Sequence, residues 1–194
     1  MKVVGIVCSP RKGGNTEILM REALKAVEEA GGKTQLFLMA DMKIEPCDAC
    51  GACWETGACK IDDDMQEVYD ALLASDGLIF GTPVYFINVS AQAKAVIDRT
   101  YALLRSGKLR GKVAAAIVAV RRVGGGQVLS LLYSYFAAQR MVIAGGGIGY
   151  GREKGEVKEG TGGSPVFTAL EEARAVGKSV ARMIERLGTP TAGA

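Results

Sequence analysis

Short apolar runs alternate along this chain with stretches whose apolar residues recur every three to four positions, and that alternation limits the fold more than any other feature. Val3-Val4-Gly5-Ile6-Val7 reads as a buried strand. Thr16–Ala30 follows as a helix, with Ile18, Leu19, Ala23, Ala26 and Val27 on one stripe and Gly31-Gly32 ending it. Thr34–Met39 is expected as a second strand, Gly77–Gly81 as a third, Val113–Val120 as a fourth and Met141–Ala144 as a fifth. Helices are expected at Asp64–Ala74, capped by the Asp62–Asp64 run, at Ser90–Leu104 with Ser90 near its N-cap, and at Gln127–Ala138. Pro165–Leu187 reads as a long last helix and Pro190–Ala194 as a frayed tail. Val113–Val120 is apolar throughout, as a central parallel strand buried on both faces must be. This order predicts an α/β fold: a doubly wound, five-stranded parallel sheet with helices on both faces and ligands beyond the carboxyl ends of its strands.

At 194 residues and 48% hydrophobic, the chain is expected to form a single domain spanning residues 1–194, without internal repeat or linker. A net charge of +3 gives no argument for a nucleic-acid partner. Val113–Val120, the longest apolar run, is too short to cross a bilayer, and no secretory signal pattern is present. The expected setting is the cytoplasm, with no membrane partner. One stretch is odd: Ala144–Pro165 holds nine glycines among mixed charges, longer than an ordinary connection. It reads either as a floppy surface loop or as a lid or subunit contact.

Four of the five cysteines fall in a loop at positions 47–59, spaced C-x₂-C-x₂-C-x₅-C, in a chain without histidine. Cys47, Cys50 and Cys53 can converge from one tight loop, and Cys59 closes the set from its far side. Gly51 lets the backbone turn between ligands, while Ala49, Ala52 and Ala58 leave room for inorganic sulfide. A [4Fe–4S] cluster is the leading reading. A Cys₄ zinc site is the rival, although structural zinc commonly takes two ligands from each of two knuckles. A disulfide framework suits neither the length of the chain nor a reducing compartment, and a thioredoxin-type pair leaves two cysteines unexplained. Cys8, among apolar neighbours, reads as a buried thiol at a strand end.

Directly after the first strand, Ser9-Pro10-Arg11-Lys12-Gly13-Gly14-Asn15-Thr16 runs into the first helix. A helix start offers unpaired N–H groups and the positive end of its dipole, and hydroxyl, amide and guanidinium groups converge there, a set suited to phosphate. The plain alternative is a strand-to-helix turn capped by Asn15 or Thr16. No GxGxxG occurs. Gly32-Lys33-Thr34 and Gly177-Lys178-Ser179 imitate the end of a P-loop, but Val27 and Glu172 stand where its first glycine is required. After the third strand, Pro83 fixes the backbone, and small and aromatic residues from Thr82 to Phe86 can pack on a planar ring. Tyr85 and Phe86 equally suit a core or an interface.

The Ser9–Thr16 loop together with Gly81-Thr82-Pro83-Val84-Tyr85-Phe86 resembles the flavodoxin-like FMN reductase family. With the cysteine motif, the chain resembles the iron–sulfur flavoproteins of anaerobic archaea and bacteria, over nearly its whole length. The resemblance implies a flavodoxin-like fold that binds FMN, with a [4Fe–4S] cluster on Cys47, Cys50, Cys53 and Cys59. It implies that Ser9, Arg11, Asn15 and Thr16 hold the FMN phosphate, and that Thr82, Pro83, Val84, Tyr85 and Phe86 line the isoalloxazine. Gly124, Gly125, Gly126 and Gln127 match the family's third flavin loop. The family also builds homodimers that pair into homotetramers, with a cluster near a flavin at a subunit interface. Two positions depart from the family pattern: Cys8 stands where Gly or Ser is common, and the x₅ gap is one of several tolerated.

A cluster passes single electrons whereas FMN accepts one or two, so the expected role is an electron-transfer flavoprotein taking electrons from a ferredoxin-like donor. An NAD(P)H-dependent FMN or quinone reductase with an auxiliary metal centre is the alternative, and a redox sensor a third class. Arg105, Lys108, Arg110, Lys112, Arg121 and Arg122 occur with no acid between positions 99 and 122. They read either as a solvated basic surface or as a patch that attracts an acidic donor.

Overall fold

The structure, a computed structural model, describes residues 1–159 and 168–188. Strands β1 (Lys2–Val7), β2 (Lys33–Leu38), β3 (Gly77–Pro83), β4 (Val113–Val120) and β5 (Val142–Tyr150) form one sheet in the order β2-β1-β3-β4-β5. Every neighbouring pair is parallel. This is the doubly wound arrangement, and its strand order reverses between β1 and β3, where the departing loops open a crevice. The helices are α1 (Asn15–Glu29), α2 (Ala52–Thr56), α3 (Met65–Leu73), α4 (Ala91–Arg99), α5 (Tyr101–Leu104), α6 (Gly125–Ala138) and α7 (Ala169–Leu187). A 3₁₀ turn covers Glu156–Glu159.

Alternation along the strands sorts the core into two layers. Val3 and Val7 pack with Leu19 and Met20 of α1 and Val176, Val180 and Ile184 of α7. Val4 and Ile6 point the other way, onto Val68 and Leu72 of α3, Val96 of α4 and Leu132 and Phe136 of α6. All eight residues of β4 are buried, which explains its unbroken apolar run. Burying each large side chain of this kind contributes about 1.5–3 kcal/mol. Among the described residues no helix is long and apolar enough to cross a membrane.

Four expectations need correction. The helix expected over Ser90–Leu104 is two, α4 and α5, divided at Thr100. There, the Gln139 amide donates to the Thr100 carbonyl and hydroxyl (both 3.1 Å), and the Tyr135 hydroxyl donates to the same Oγ1 (3.1 Å). These bonds from the end of α6 add to the local ones at the junction, where the Thr100 N–H reaches the Val96 carbonyl (3.0 Å) and its own carbonyl accepts the Leu103 N–H (2.9 Å). The fifth strand does not stop at Ala144 but continues to Tyr150, through the glycines expected in a loop. Close packing requires them: a Cβ at Gly149 would lie 2.5 Å from Leu19, and one at Gly146 2.6 Å from Leu129. Helix α6 begins two residues before Gln127, at Gly125, behind Gly124 with φ 94°. The last helix begins at Ala169, where Thr168 and Glu171 form a reciprocal capping box. Residues 165–167 of the expected helix, and the Pro190–Ala194 tail, lie outside the described residues. Ser90, by contrast, caps α4 as expected, its hydroxyl accepting the Ala93 N–H at 3.1 Å.

Candidate functional site

Two cavities carry the residues singled out by the sequence. The first lies beyond the carboxyl ends of β1, β3, β4 and β5, with a volume of about 460 Å³. Ser9, Arg11, Asn15 and Thr16 line it together with Pro83, Val84 and Tyr85, so the phosphate-type loop and the loop after β3 face one space. Gly14 is the N-cap of α1 and brings no capping side chain, which leaves the first turn's N–H groups and the helix dipole turned to this space. Ser9 Oγ instead shapes the turn, accepting the Arg11 N–H at 3.1 Å. Gly13, at φ +63°, donates its N–H to Glu17 (2.7 Å), which also pairs with Arg21. Burial would raise the Glu17 carboxyl, but the Gly13 N–H and Arg21 outweigh it and hold the group below the usual carboxylate range.

The other expected residues divide. Thr82 is fully buried; its hydroxyl donates to the Pro83 carbonyl (2.9 Å) and accepts the Ser90 N–H (3.2 Å), so it fixes the start of the loop rather than lining the cavity. Phe86 is fully exposed and, with Ile87, occupies the tip of a tight turn closed by reciprocal bonds between Tyr85 and Asn88 (2.9 and 3.0 Å). Both tip residues are left-handed, at φ 50° and 59°. For a β-branched Ile that backbone is strained, at a cost of about 1–3 kcal/mol. Gly124 backs this turn, since a Cβ there would come 3.0 Å from Ile87 Cα and from Val84 Cγ1. Gly124, Gly125, Gly126 and Gln127 do not themselves line the cavity.

A wall of the cavity that sequence reasoning missed is the segment after β5. Gly151, Arg152, Glu153 and Lys154 line it. Asn15 holds them, donating to the Glu153 carbonyl (2.9 Å) and accepting the Gly155 N–H (2.8 Å). The signal available was the odd glycine-rich stretch, whose middle serves as this wall.

The second cavity, of about 680 Å³, is lined by Cys47, Cys50, Cys53 and Cys59. Cys47 and Cys50 are exposed, while Cys53 and Cys59 are half-buried against the α3/α4 layer. The loop earns its tight path from left-handed residues: Ala49 (φ 55°), Gly51 (φ 77°) and Gly57 (φ 72°). Gly51 is the N-cap of the short α2, which carries Cys53. Asp48 accepts the Cys50 N–H at 3.1 Å and lies 3.4 Å from Lys60; hydrogen bonding from the Cys50 thiol first, then from its N–H and from Lys60, holds the Asp48 carboxyl below the usual range. Trp54 of α2 stacks on Tyr101 (centroids 6.0 Å apart) under the Arg105 guanidinium, 4.4 Å from the indole. Arg105 also donates to the Trp54 carbonyl, and Lys108 to that of Gly57 (3.3 Å).

The chemistry of this donor set fits a thiolate-bound centre. Partial burial raises the Cys53 thiol, and repulsion from Cys59, Cys47 and Cys50 raises it further, a balance that bound iron reverses. Among the described residues, no three His, Cys, Asp or Glu groups are gathered as the shell of one ion. The four thiols share one cavity. Cys8 is buried as expected, its N–H bonded to the Gly81 carbonyl at 2.7 Å, and burial pushes its thiol up.

The cysteines line a cavity other than that of the phosphate-type loop. Their cavity is lined by the last residues of α4 and α6 (Arg99, Ala138 and Gln139), whereas the first cavity lies at the loops from which these helices start. The two share no lining residue. The basic set also disperses. Arg105 and Lys108 flank the cysteine loop, and Arg121 lines the first cavity. Lys112 is half-buried and donates to the Leu73 (3.0 Å) and Ser75 carbonyls at the end of α3, so it belongs to no exposed patch.

Comparison with known proteins adds a lineage to this geometry. The sequence pattern of the NADPH-dependent FMN reductase family matches residues 1–153. An iron–sulfur flavoprotein of Methanocaldococcus jannaschii is 38% identical over 195 residues, covering 95% of this chain and 98% of the relative. One from Archaeoglobus fulgidus is 41% identical over 152 residues, covering 76% of this chain and 77% of the relative. Among solved structures, a WrbA-like flavodoxin from Agrobacterium tumefaciens superposes with a TM-score of 0.66 at 19% identity, covering 96% of this chain and 98% of its own. That likeness shows the flavodoxin-like fold.

Proposed function

The chain belongs to the NADPH-dependent FMN reductase family, among its iron–sulfur flavoproteins, and from that premise we propose that it transfers electrons from a one-electron donor such as ferredoxin to a downstream acceptor. FMN and a [4Fe–4S] cluster are the cofactors of this reading. When bound, a cluster passes single electrons and FMN takes one or two, which together links a one-electron donor to two-electron chemistry.

The observation that carries the reading is the conjunction of the two cavities in one chain. The uncapped start of α1 with Ser9, Arg11 and Thr16 supplies N–H, hydroxyl and guanidinium donors for the phosphate, while Pro83, Val84 and Tyr85 offer a flat apolar wall. In this reading Thr82 anchors the turn that carries the exposed Phe86 and the Gly124-Gly125-Gly126-Gln127 loop backs it, so these residues shape the flavin cavity from behind. Cys47, Cys50, Cys53 and Cys59 are assigned as the cluster ligands. No side chain needs to act as a general acid or base; the residues position the two groups and exclude water.

Because the two cavities share no lining residue, transfer between them is read as occurring across subunits, which makes a homodimer or homotetramer the working assembly. The donor is assigned to the cysteine side. Arg105 and Lys108 hold positive charge at the rim of that cavity and suit an acidic, ferredoxin-like surface. The cytoplasm is the assigned compartment, because exposed thiols such as Cys47 and Cys50 stay reduced there.

Anaerobic stopped-flow mixing tests the proposal. Flavin bleaching through reduced ferredoxin, slowed by the Arg105→Glu/Lys108→Glu variant at low salt, is the expected result. Rapid bleaching by NADPH alone, with no response to ferredoxin, contradicts it and favours the NAD(P)H-dependent reductase.

A further inference from the structure

One buried side chain holds both stems of the cysteine loop. Arg99, in the last turn of α4, is 1% exposed and among the largest fully buried side chains. One terminal guanidinium nitrogen donates to the Glu45 carbonyl (2.9 Å) and an Asp63 oxygen (2.6 Å). The other donates to the Ile61 carbonyl (3.3 Å) and the second Asp63 oxygen (2.9 Å). Glu45 stands two residues before Cys47, and Ile61 two residues after Cys59. Asp63 completes the knot by accepting the N–H groups of Glu45 (2.8 Å) and Met65 (3.1 Å).

Stability alone is a weak reason for such a pair. Desolvating two charges costs several kcal/mol, and apolar residues of the same volume often stabilise a core as well or better. What the fork supplies and apolar residues cannot is a fixed position for two loop stems and a charge at a fixed place. Arg99 and Cys59 line the same cavity, and Cys59 packs on the core layer that holds Tyr69. Tyr69 in turn donates its hydroxyl to the Arg99 carbonyl at 2.7 Å.

We propose that Arg99 is a positioning residue of the cysteine centre, clasping the loop stems before any cluster is present and setting a positive charge beside Cys59 that favours the reduced, more negative state of the group bound there. The proposal rests on the reading of Cys47, Cys50, Cys53 and Cys59 as cluster ligands. Outer partners of this kind commonly change metal retention by about 10- to 100-fold when removed.

The test compares anaerobically purified wild type, Arg99→Lys, Arg99→Gln and Asp63→Asn. It measures iron and sulfide retained against a chelator, the cluster's midpoint potential by EPR-monitored titration, and amide exchange across residues 43–64 in the apo chains. Arg99→Lys keeps the charge but not the fork, so it is expected to release iron about 10- to 100-fold faster, with faster apo exchange across the loop. Arg99→Gln is expected to lower the potential and Asp63→Asn to raise it, opposite shifts that a merely structural residue does not produce. Where Arg99→Gln fails to fold, Asp63→Asn measured against Arg99→Lys supplies the sign. Wild-type retention and exchange in Arg99→Lys, or potentials that move together, overturn the proposal. Wild-type protein without iron and sulfide overturns the ligand reading and this proposal with it; a loaded wild type with unaffected variants overturns this proposal alone.

Discussion

Asn15, at the start of α1, accepts a 2.8 Å hydrogen bond from the Gly155 N–H in the segment after β5. Its amide returns a bond to the Glu153 carbonyl at 2.9 Å, so a residue expected to face a phosphate is spent on fastening the opposite wall of the cavity. In the proposed reading, phosphate contacts then fall to the backbone N–H groups, Ser9, Arg11 and Thr16.

Asn15→Ala should therefore weaken FMN binding by freeing that wall, with the fold intact. Losing these bonds costs about 1–3 kcal/mol, which corresponds to a rise in Kd of about 5- to 150-fold. Flavin fluorescence quenching measures it. Riboflavin, which lacks the phosphate, should bind far more weakly than FMN to wild type and lose that contrast in Arg11→Ala.

Asp63 sets an acid limit on stability. Burial alone would raise its carboxyl, but Arg99 and the Glu45 and Met65 N–H groups outweigh burial and hold it below the usual range. A carboxyl lowered on folding adds stability above its unfolded value of about 3.9 and loses it as pH falls through the folded value. Melting curves from pH 6 to pH 2.5 should show wild type falling steeply below about pH 4. Asp63→Asn should be destabilised by about 3–5 kcal/mol at neutral pH, since it leaves Arg99 buried and unpaired, with a shallower acid decline.

The turn at Phe86-Ile87 trades stability for shape. Replacing the pair by Asn-Gly, which adopts the same left-handed turn without strain, should raise apo stability by about 1 kcal/mol. FMN affinity should fall in the same variant if Phe86 covers the ring. Thermal melting and flavin titration on one preparation report both.

Gly177→Ala pits helix propensity against packing. Alanine is favoured by about 1 kcal/mol in a helix interior, yet a Cβ at this point of α7 overlaps the Ala23 carbonyl of α1. Parting two packed helices costs about 1–3 kcal/mol or more, so a net loss and a Tm lower by several degrees are expected in calorimetry.

The sheet was legible because its signals are local. The apolar run of β4, the Ser90 cap and the buried Cys8 follow from pattern and residue type alone. The continuation of β5 was not, because glycine reads as loop until Leu19 and Leu129 are seen to need the space of a missing Cβ. The break at Thr100 depends on Gln139, and the role of Arg99 on Asp63, pairings that no periodicity within one helix reveals. At the site, motif spacing named the thiols and the phosphate-type loop. That they line two different cavities belongs to the packing of helices on the sheet.

The most direct measurement of the central claim is the composition of the protein purified without oxygen: iron, acid-labile sulfide, zinc and FMN per chain. The account predicts iron and sulfide in equal amounts, about four of each, together with about one FMN, and loss of the iron and sulfide in Cys50→Ser with FMN retained. Zinc without sulfide, or a chain that binds no flavin, would contradict it.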